Sequence, residues 1–385
     1  MSKNDFTLEE FASRQRRVRE EIARSALDWM LLFHPVSIHW LTGSDAKSYQ
    51  AFQCLLVSAT DERLRIFTRE SERSEFEADA LVDEVRTWGG PELQDPVDGF
   101  VGYAASLGLM KARVGMEVPA YYLHPHHYLR LKSALGSALV SEPNNLVHGL
   151  KLVKSDAELA YVRQASRIAD QSVVAMTRAL TPGRSELEIA AHIHHAILSA
   201  GGSIPASPLN LVSGPRSGFS HGAPTDRRLQ RGDFGHAEYN VPYRRYTTSI
   251  GRHFSIGTPT SRMQELHDLA RTAADACIAE IRHGVPASKP HAAAAKIIAA
   301  AGLERARVHL TGYGLAPAFP PATAEPIQLV AESTAVLKAG MVLSICPPIF
   351  IGPERLGVRL VDNVIVTQTG AEILSKQPRD LIVVD

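Results

Sequence analysis

The sequence predicts an α+β protein in two parts, a smaller α/β unit over residues 1–152 and a larger unit over residues 153–385. Three observations lead there. At 385 residues the chain is too long for one ordinary core. In its first part short apolar runs alternate with helical stretches, whereas in the second part helices come first and strands follow. Between them, Ser155 and Glu158 have the spacing of a capping box ahead of a long amphipathic stretch.

The elements follow in order. Thr7 and Glu10 have capping-box spacing, and Phe11, Val18 and Ile22 then recur on one face, so a first helix starts near Leu8. Apolar runs at 29–33, 52–57 and 64–67, separated by His34-Pro35 and Gly43-Ser44-Asp45, read as strands. Residues 112–118 read as a further strand and 128–135 as a helix. Past the junction, helices are expected to about Ala179 and over 185–200, the latter stopped by Gly201-Gly202. Strands at 235–240 and 246–256, helices at 262–283 and 291–301, and strands at 342–345 and 358–367 complete the pattern.

Bulk composition narrows the function. Lysine plus arginine (41) balance aspartate plus glutamate (41), so no net field favours nucleic acid or an anionic membrane, and a small-molecule or peptide substrate is expected. Cys54, Cys277 and Cys346 are too scattered for a disulfide framework or a metal knuckle, which fits a reducing compartment. The opening segment is polar and amphipathic, and no run reaches the roughly 18 apolar residues of a membrane span. The expectation is a cytoplasmic protein.

Several conspicuous residues have plain explanations. His124, His126 and His127 surround Pro125 at a helix entry. His192 and His195, at helical i,i+3 spacing, have no carboxylate or thiolate signalled beside them and read as surface or packing residues. Arg227, Arg228 and Arg231 read as a solvated face. His221 differs, because Gly218, Gly222 and Pro224 place it in a loop between ordered segments, where catalytic groups are commonly presented. A Gly232-Asp233 turn follows, then a strand carrying Glu238, then a return strand ending in Arg252.

At this point the chain resembles the creatinase and aminopeptidase P superfamily. The matching pieces are TGSD at Thr42, the LVKSDAEL junction, the segment from Ser213 through Asp233, YTTSIGRHF, GYGLAPAFPP from Gly312, GMVLSICPP from Gly340 and GVRLVDNVIVTQTGAEIL from Gly357. Together they span essentially the whole chain. The resemblance implies a pita-bread catalytic domain preceded by a smaller α/β creatinase-type N-terminal domain. Metal-dependent members hold two cations with two aspartates, a histidine and two glutamates, hard oxygen and imidazole donors. Those positions fall here on Glu238, Ser249, Tyr313, Cys346 and Val361. One carboxylate cannot hold two metals, so the expectation is no catalytic metal and no cofactor. His236 and His253 are the only nearby replacements.

Metal-free members include creatinase and ectoine hydrolase. The chain is more similar to ectoine hydrolase, through Glu238, the Arg244-Arg245-Tyr246 return, Arg252, and a Gly312-Tyr313 turn leading to Pro320-Pro321. The expected activity is therefore metal-independent hydrolysis of a non-peptide carbon-nitrogen bond in a small amidine or guanidine. Without a Lewis acid, His221 suits proton transfer because its reference pKa is about 6.5. Glu238 would pair with a cationic substrate or attack it, and Tyr313 would donate to the tetrahedral centre. Arg359 would clamp a substrate carboxylate unless it pairs with Asp362. Cys346 is placed with the substrate-binding residues. Arg69 is placed there too, reaching a neighbouring subunit's pocket in a homodimer, unless it pairs locally with Glu70 or Glu72. Two other readings stay open: a metallopeptidase of the aminopeptidase P or Xaa-Pro dipeptidase kind, and a catalytically silent metabolite-binding protein.

Overall fold

The computed structural model describes residues 3–92, 94–143 and 145–385. They form two compact units, Met1–Lys151 and Leu152–Asp385.

In the first unit, strands β1 (Trp29–Leu32), β2 (Cys54–Ser58), β3 (Arg65–Arg69), β4 (Glu84–Trp88), β5 (Val114–Met116) and β6 (Leu139–Ser141) form a sheet in the order β4-β3-β2-β1-β5-β6. Their side chains alternate between two cores, as the pleat requires. Met30, Leu32, Leu55 and Val57 join one with Val18 and Ile22 of helix Leu8–Arg24. Leu31, Cys54 and Leu56 join the other with Phe100 and Tyr103 of helix Pro96–Ser106. Thr7 caps the first helix by accepting from the Glu10 amide at 3.2 Å, while the Glu10 carboxylate pairs with Arg14 at 2.6 Å.

In the second unit the capping box at the junction is reciprocal. Ser155 N–H donates to Glu158 Oε2 at 2.9 Å, and Glu158 N–H to Ser155 Oγ at 3.2 Å. The helices Asp156–Ala179 and Glu186–Ser199 pack on β7 (Asn210–Ser213), β8 (Phe234–Tyr243) and β9 (Tyr246–Ile256). The helices Ser261–Ala279 and Ser288–Ala300 pack on β11 (Ala322–Leu329), β12 (Val342–Ile345) and, further on, β15 (Asp362–Val366), while β10 (Gly312–Phe319) pairs with β11 and β12. One sheet runs β16-β15-β12-β10-β9-β8-β7, with β16 at Ala371–Ile373, and β17 (Ile382–Val384) adds to β9. Between them β13 (Pro348–Ile351) pairs with β14 (Leu356–Arg359) in a small sheet of its own.

Two expectations from the sequence are corrected by the structure. Residues 358–367 are not one strand, because β14 ends at Arg359 and β15 begins at Asp362 in a different sheet. The change of sheet is made over Gly251, whose N–H and C=O bond with Val361 at 3.1 and 3.2 Å. A Cβ on Gly251 would lie 2.6 Å from Val361 Cγ2 and 2.9 Å from the Arg359 carbonyl, so only glycine lets the chain cross there. Both halves are buried, so periodicity showed no seam. The turn expected at Gly312 is instead strand β10, and its glycines and prolines dilute the alternation by which strands are recognised.

Lys154 and Glu325 form an ion pair whose side chains are each 1 % exposed. Lys154→Met should therefore lower unfolding free energy by about 3–5 kcal/mol by burying a carboxylate without its counter-ion. Urea denaturation reads this, and an unchanged midpoint would show that the pair carries no such weight. Among the described residues no helix is long and apolar enough to cross a membrane.

Candidate active site

Ala237, Tyr239 and Val241 of β8 point into the core beneath the helix pair. Alternation turns His236, Glu238 and Asn240 to the opposite face. Register places Ser249, Gly251 and His253 of β9 opposite Asn240, Glu238 and His236. On this face lies a cavity of about 200 Å³, lined by Asn210, His221, Glu238, His309, Tyr313 and Arg359 among others. That is below the roughly 300–1,000 Å³ of drug-sized sites, so its ligand is small.

Arg359 organises the cavity. Its side chain is 1 % exposed, and the crossing over Gly251 sets it beside Glu238. One guanidinium nitrogen donates to Glu238 Oε2 at 2.6 Å and lies 3.2 Å from His221 Nε2, and the other donates to Ser220 Oγ at 2.7 Å. Asn210 donates to the same carboxylate oxygen at 3.2 Å. A guanidinium has no acceptor, so Nε2 of His221 must be the unprotonated nitrogen. Partial burial, then the Arg359 charge, hold the His221 pKa below its ordinary value against the opposing pull of Glu238. His221 is thus a neutral base near pH 7.

The loop bearing His221 is held from below. Glu186, fully buried, accepts from Ser213 Oγ at 2.7 Å and from the Thr225 amide at 2.9 Å, and it pairs with Arg216. Arg216 reaches on to the Ala223 carbonyl at 2.7 Å. Gly222 packs against Val212 where a Cβ would meet its side chain at 2.2 Å. Arg227, expected on a solvated face, instead makes a forked pair with Asp233 at 2.7 Å on both arms.

Of the residues singled out by sequence, His221, Glu238, Tyr313 and Arg359 meet at the cavity. Burial raises the Tyr313 hydroxyl pKa, keeping it protonated as a donor. Cys346 is 1 % exposed, its thiol donating to the Leu310 carbonyl at 3.6 Å and pushed up to about 12 by burial. Arg69 lies in the first unit, donating to Glu72 at 2.8 Å and to Ser48 at 3.1 Å. Asp362, weighed as a partner of Arg359, is held by Arg252 at 3.0 Å and Arg379 at 2.7 Å. Sequence reasoning missed Asn210 and His309. Neither stands in a recognisable motif, and only the fold brings them to Glu238.

A model of metallopeptidase family M24 matches residues 160–368, and a creatinase/prolidase N-terminal domain model matches 14–153. The chain belongs to metallopeptidase family M24. It is similar to the probable dipeptidase PepE of Mycobacterium tuberculosis, 30% identical over 100% of this chain and 99% of that protein. It is also similar to the Xaa-Pro dipeptidase of Pyrococcus horikoshii, 24% identical over 95% and 98%. The crystal structure of dipeptidase PepE from Mycobacterium ulcerans superposes with a TM-score of 0.85 at 29% identity, covering 98% of this chain and 99% of that one.

These M24 relatives correct the expected activity. They are dipeptidases, whose substrates are joined by peptide bonds, so hydrolysis of a non-peptide amidine or guanidine bond is set aside. So is the closeness to ectoine hydrolase. The family name implies metal, and the donor set here does not fit a dinuclear centre. Among the described residues no group of three or more His, Cys, Asp and Glu could hold an ion. At the five positions given by the resemblance stand Glu238, Ser249, Tyr313, Cys346 and Val361, and the one carboxylate among them is bonded to a guanidinium at 2.6 Å. His253, weighed as a substitute ligand, has both ring nitrogens engaged, with the Arg359 amide at 2.7 Å and His267 at 2.9 Å.

Proposed function

We propose that this protein binds and cleaves a dipeptide-sized substrate of the Xaa-Pro class, with the Arg359 guanidinium as the site's fixed cation. The observation that carries the reading is the Arg359 fork joining Glu238, His221 and Ser220 in a small cavity of an M24 chain. Glu238 binds the substrate's free ammonium, a charge-assisted contact. Pro208 and Leu310 give the cavity an apolar wall suited to a proline ring. Water attacks the scissile carbonyl carbon, and its proton passes to His221 Nε2 as the Arg359 guanidinium turns from that nitrogen to the forming oxyanion. Arg359 and the Tyr313 hydroxyl stabilise the oxyanion. The carbon-nitrogen bond then breaks as His221 returns the proton to the leaving proline nitrogen, giving two amino acids. A homodimer in the cytoplasm is the proposed state of the protein.

Purified protein incubated with glycyl-proline and alanyl-proline should release proline at a rate unchanged by a chelator or by added manganese. Release that requires manganese would overturn the role given to Arg359. Neither proline release nor a heat of binding would overturn the substrate class. A second reading, binding without turnover, is favoured by one observation: the His221 lone pair already faces Arg359. A heat of binding without proline release would select it.

A further inference from the structure

Behind the cavity runs a line of imidazoles with no part in the steps above. The backbone N–H of Arg359 donates to His253 Nε2 at 2.7 Å. That nitrogen must therefore be the bare one, and neutral His253 carries its proton on Nδ1. His253 Nδ1 lies 2.9 Å from His267 Nδ1. Since His253 donates there, His267 accepts on Nδ1 and carries its own proton on Nε2. The backbone amide fixes both tautomers in turn.

We propose that His253 and His267 are positioning residues for Arg359, a two-imidazole relay that holds the β14 backbone at the site and stands only while both rings are neutral. A proton added to His267 must go to Nδ1, where it meets the N–H of His253. A proton added to His253 must go to Nε2, where it meets the N–H of Arg359. In the first case His253 can accept from the protonated His267 only by moving its own proton to Nε2, so either way an N–H on His253 Nε2 faces the Arg359 amide and releases it. Both rings lie within the protein, His253 at 0 % and His267 at 1 % exposure. His253 faces His236 of β8, Arg252 of its own strand, Arg359 of β14 and His267 of helix Ser261–Ala279. His267 faces Asp268 and Arg271 of its own helix, Asp380 of the C-terminal segment and Arg252 of β9. Asp268 and Asp380 favour its protonation. Burial, Arg271 and Arg252 oppose it, and burial is the largest influence, holding its pKa below the ordinary histidine value. The relay is therefore complete at neutral pH and breaks on the acid side. The inference deepens the reading of Arg359 given above, but its test uses the protein without any ligand, so either can fail alone.

The experiment is nitrogen NMR of histidine-labelled protein, with amide exchange at Arg359 followed against pH. Wild type should show the Nδ1–H tautomer at His253 and the Nε2–H tautomer at His267. Its Arg359 protection factor should fall roughly fivefold to tenfold, the worth of one hydrogen bond, as His267 takes up a proton. His267→Asn sets a carbonyl oxygen near the place of Nδ1 and cannot titrate, so protection should persist through the acid range. His267→Leu removes the acceptor and should lower protection at neutral pH. Opposite tautomers in wild type, or the same acid loss of protection in His267→Asn, would overturn the relay. If the variants fail to fold, the wild-type tautomers decide it.

Discussion

Arg359→Ala is expected to weaken dipeptide binding and to destabilise the catalytic unit together. The guanidinium is the counter-ion of Glu238, whose side chain is only 9% exposed, and it also ties Ser220 and His221 to that carboxylate. Removing one partner of a buried pair leaves a stranded charge, at a cost of about 3–5 kcal/mol. Losing a donor to the developing oxyanion should lower turnover by a further factor of about 100 to 1,000. Arg359→Lys keeps the charge but not the fork, so stability should return largely and affinity only in part. Urea denaturation and calorimetry with glycyl-proline read the two effects separately. Wild-type stability and affinity in Arg359→Ala would show that the fork is incidental.

His221→Ala should act on rate and leave the fold alone. The imidazole is presented on an exposed loop that Glu186, Arg216 and Thr225 hold without its help. A general acid-base group contributes roughly 100-fold to 10,000-fold, so kcat should fall by that factor with KM little changed. The pH profile carries its own sign. Only neutral His221 can take a proton from water, and its pKa lies below the reference of about 6.5. Wild-type kcat/KM should therefore hold at neutral pH and decline as pH falls through that lowered value. The variant should show a flat, low profile over the same range, and an identical acid limb in both proteins would assign the titration elsewhere.

How far the chain could be read follows from what kind of signal each feature leaves. The capping box at Ser155 and Glu158 is local chemistry, and it opens the expected helix. Glu238 and His221 announce themselves by strand and loop context, and the structure brings them to one cavity. The partner of Arg359 was not legible. Glu238 is 121 residues away, while Asp362 is three, and only the crossing over Gly251 decides between them. The relay was equally hidden, because His267 lies on a helix and faces a strand histidine 14 residues earlier. The substrate class was not legible either, because residues that do not match the family's metal donors say nothing of the bond cleaved, whereas the whole chain aligns with a probable dipeptidase.

The crossing over Gly251 also bears on what charges this interior can accept. Val361 is fully buried with its side chain against Gly251, and Cys346 and Ser249 are at most 3 % exposed. Placing a glutamate or aspartate at any one of them adds an anion to a closed interior whose resident cation already serves Glu238. Each such step alone costs several kcal/mol, and only a compensating cation beside the new acid would recover it. Single substitutions therefore lead downhill in stability before they lead anywhere in chemistry. The valine over the glycine thus closes this position to any single added charge.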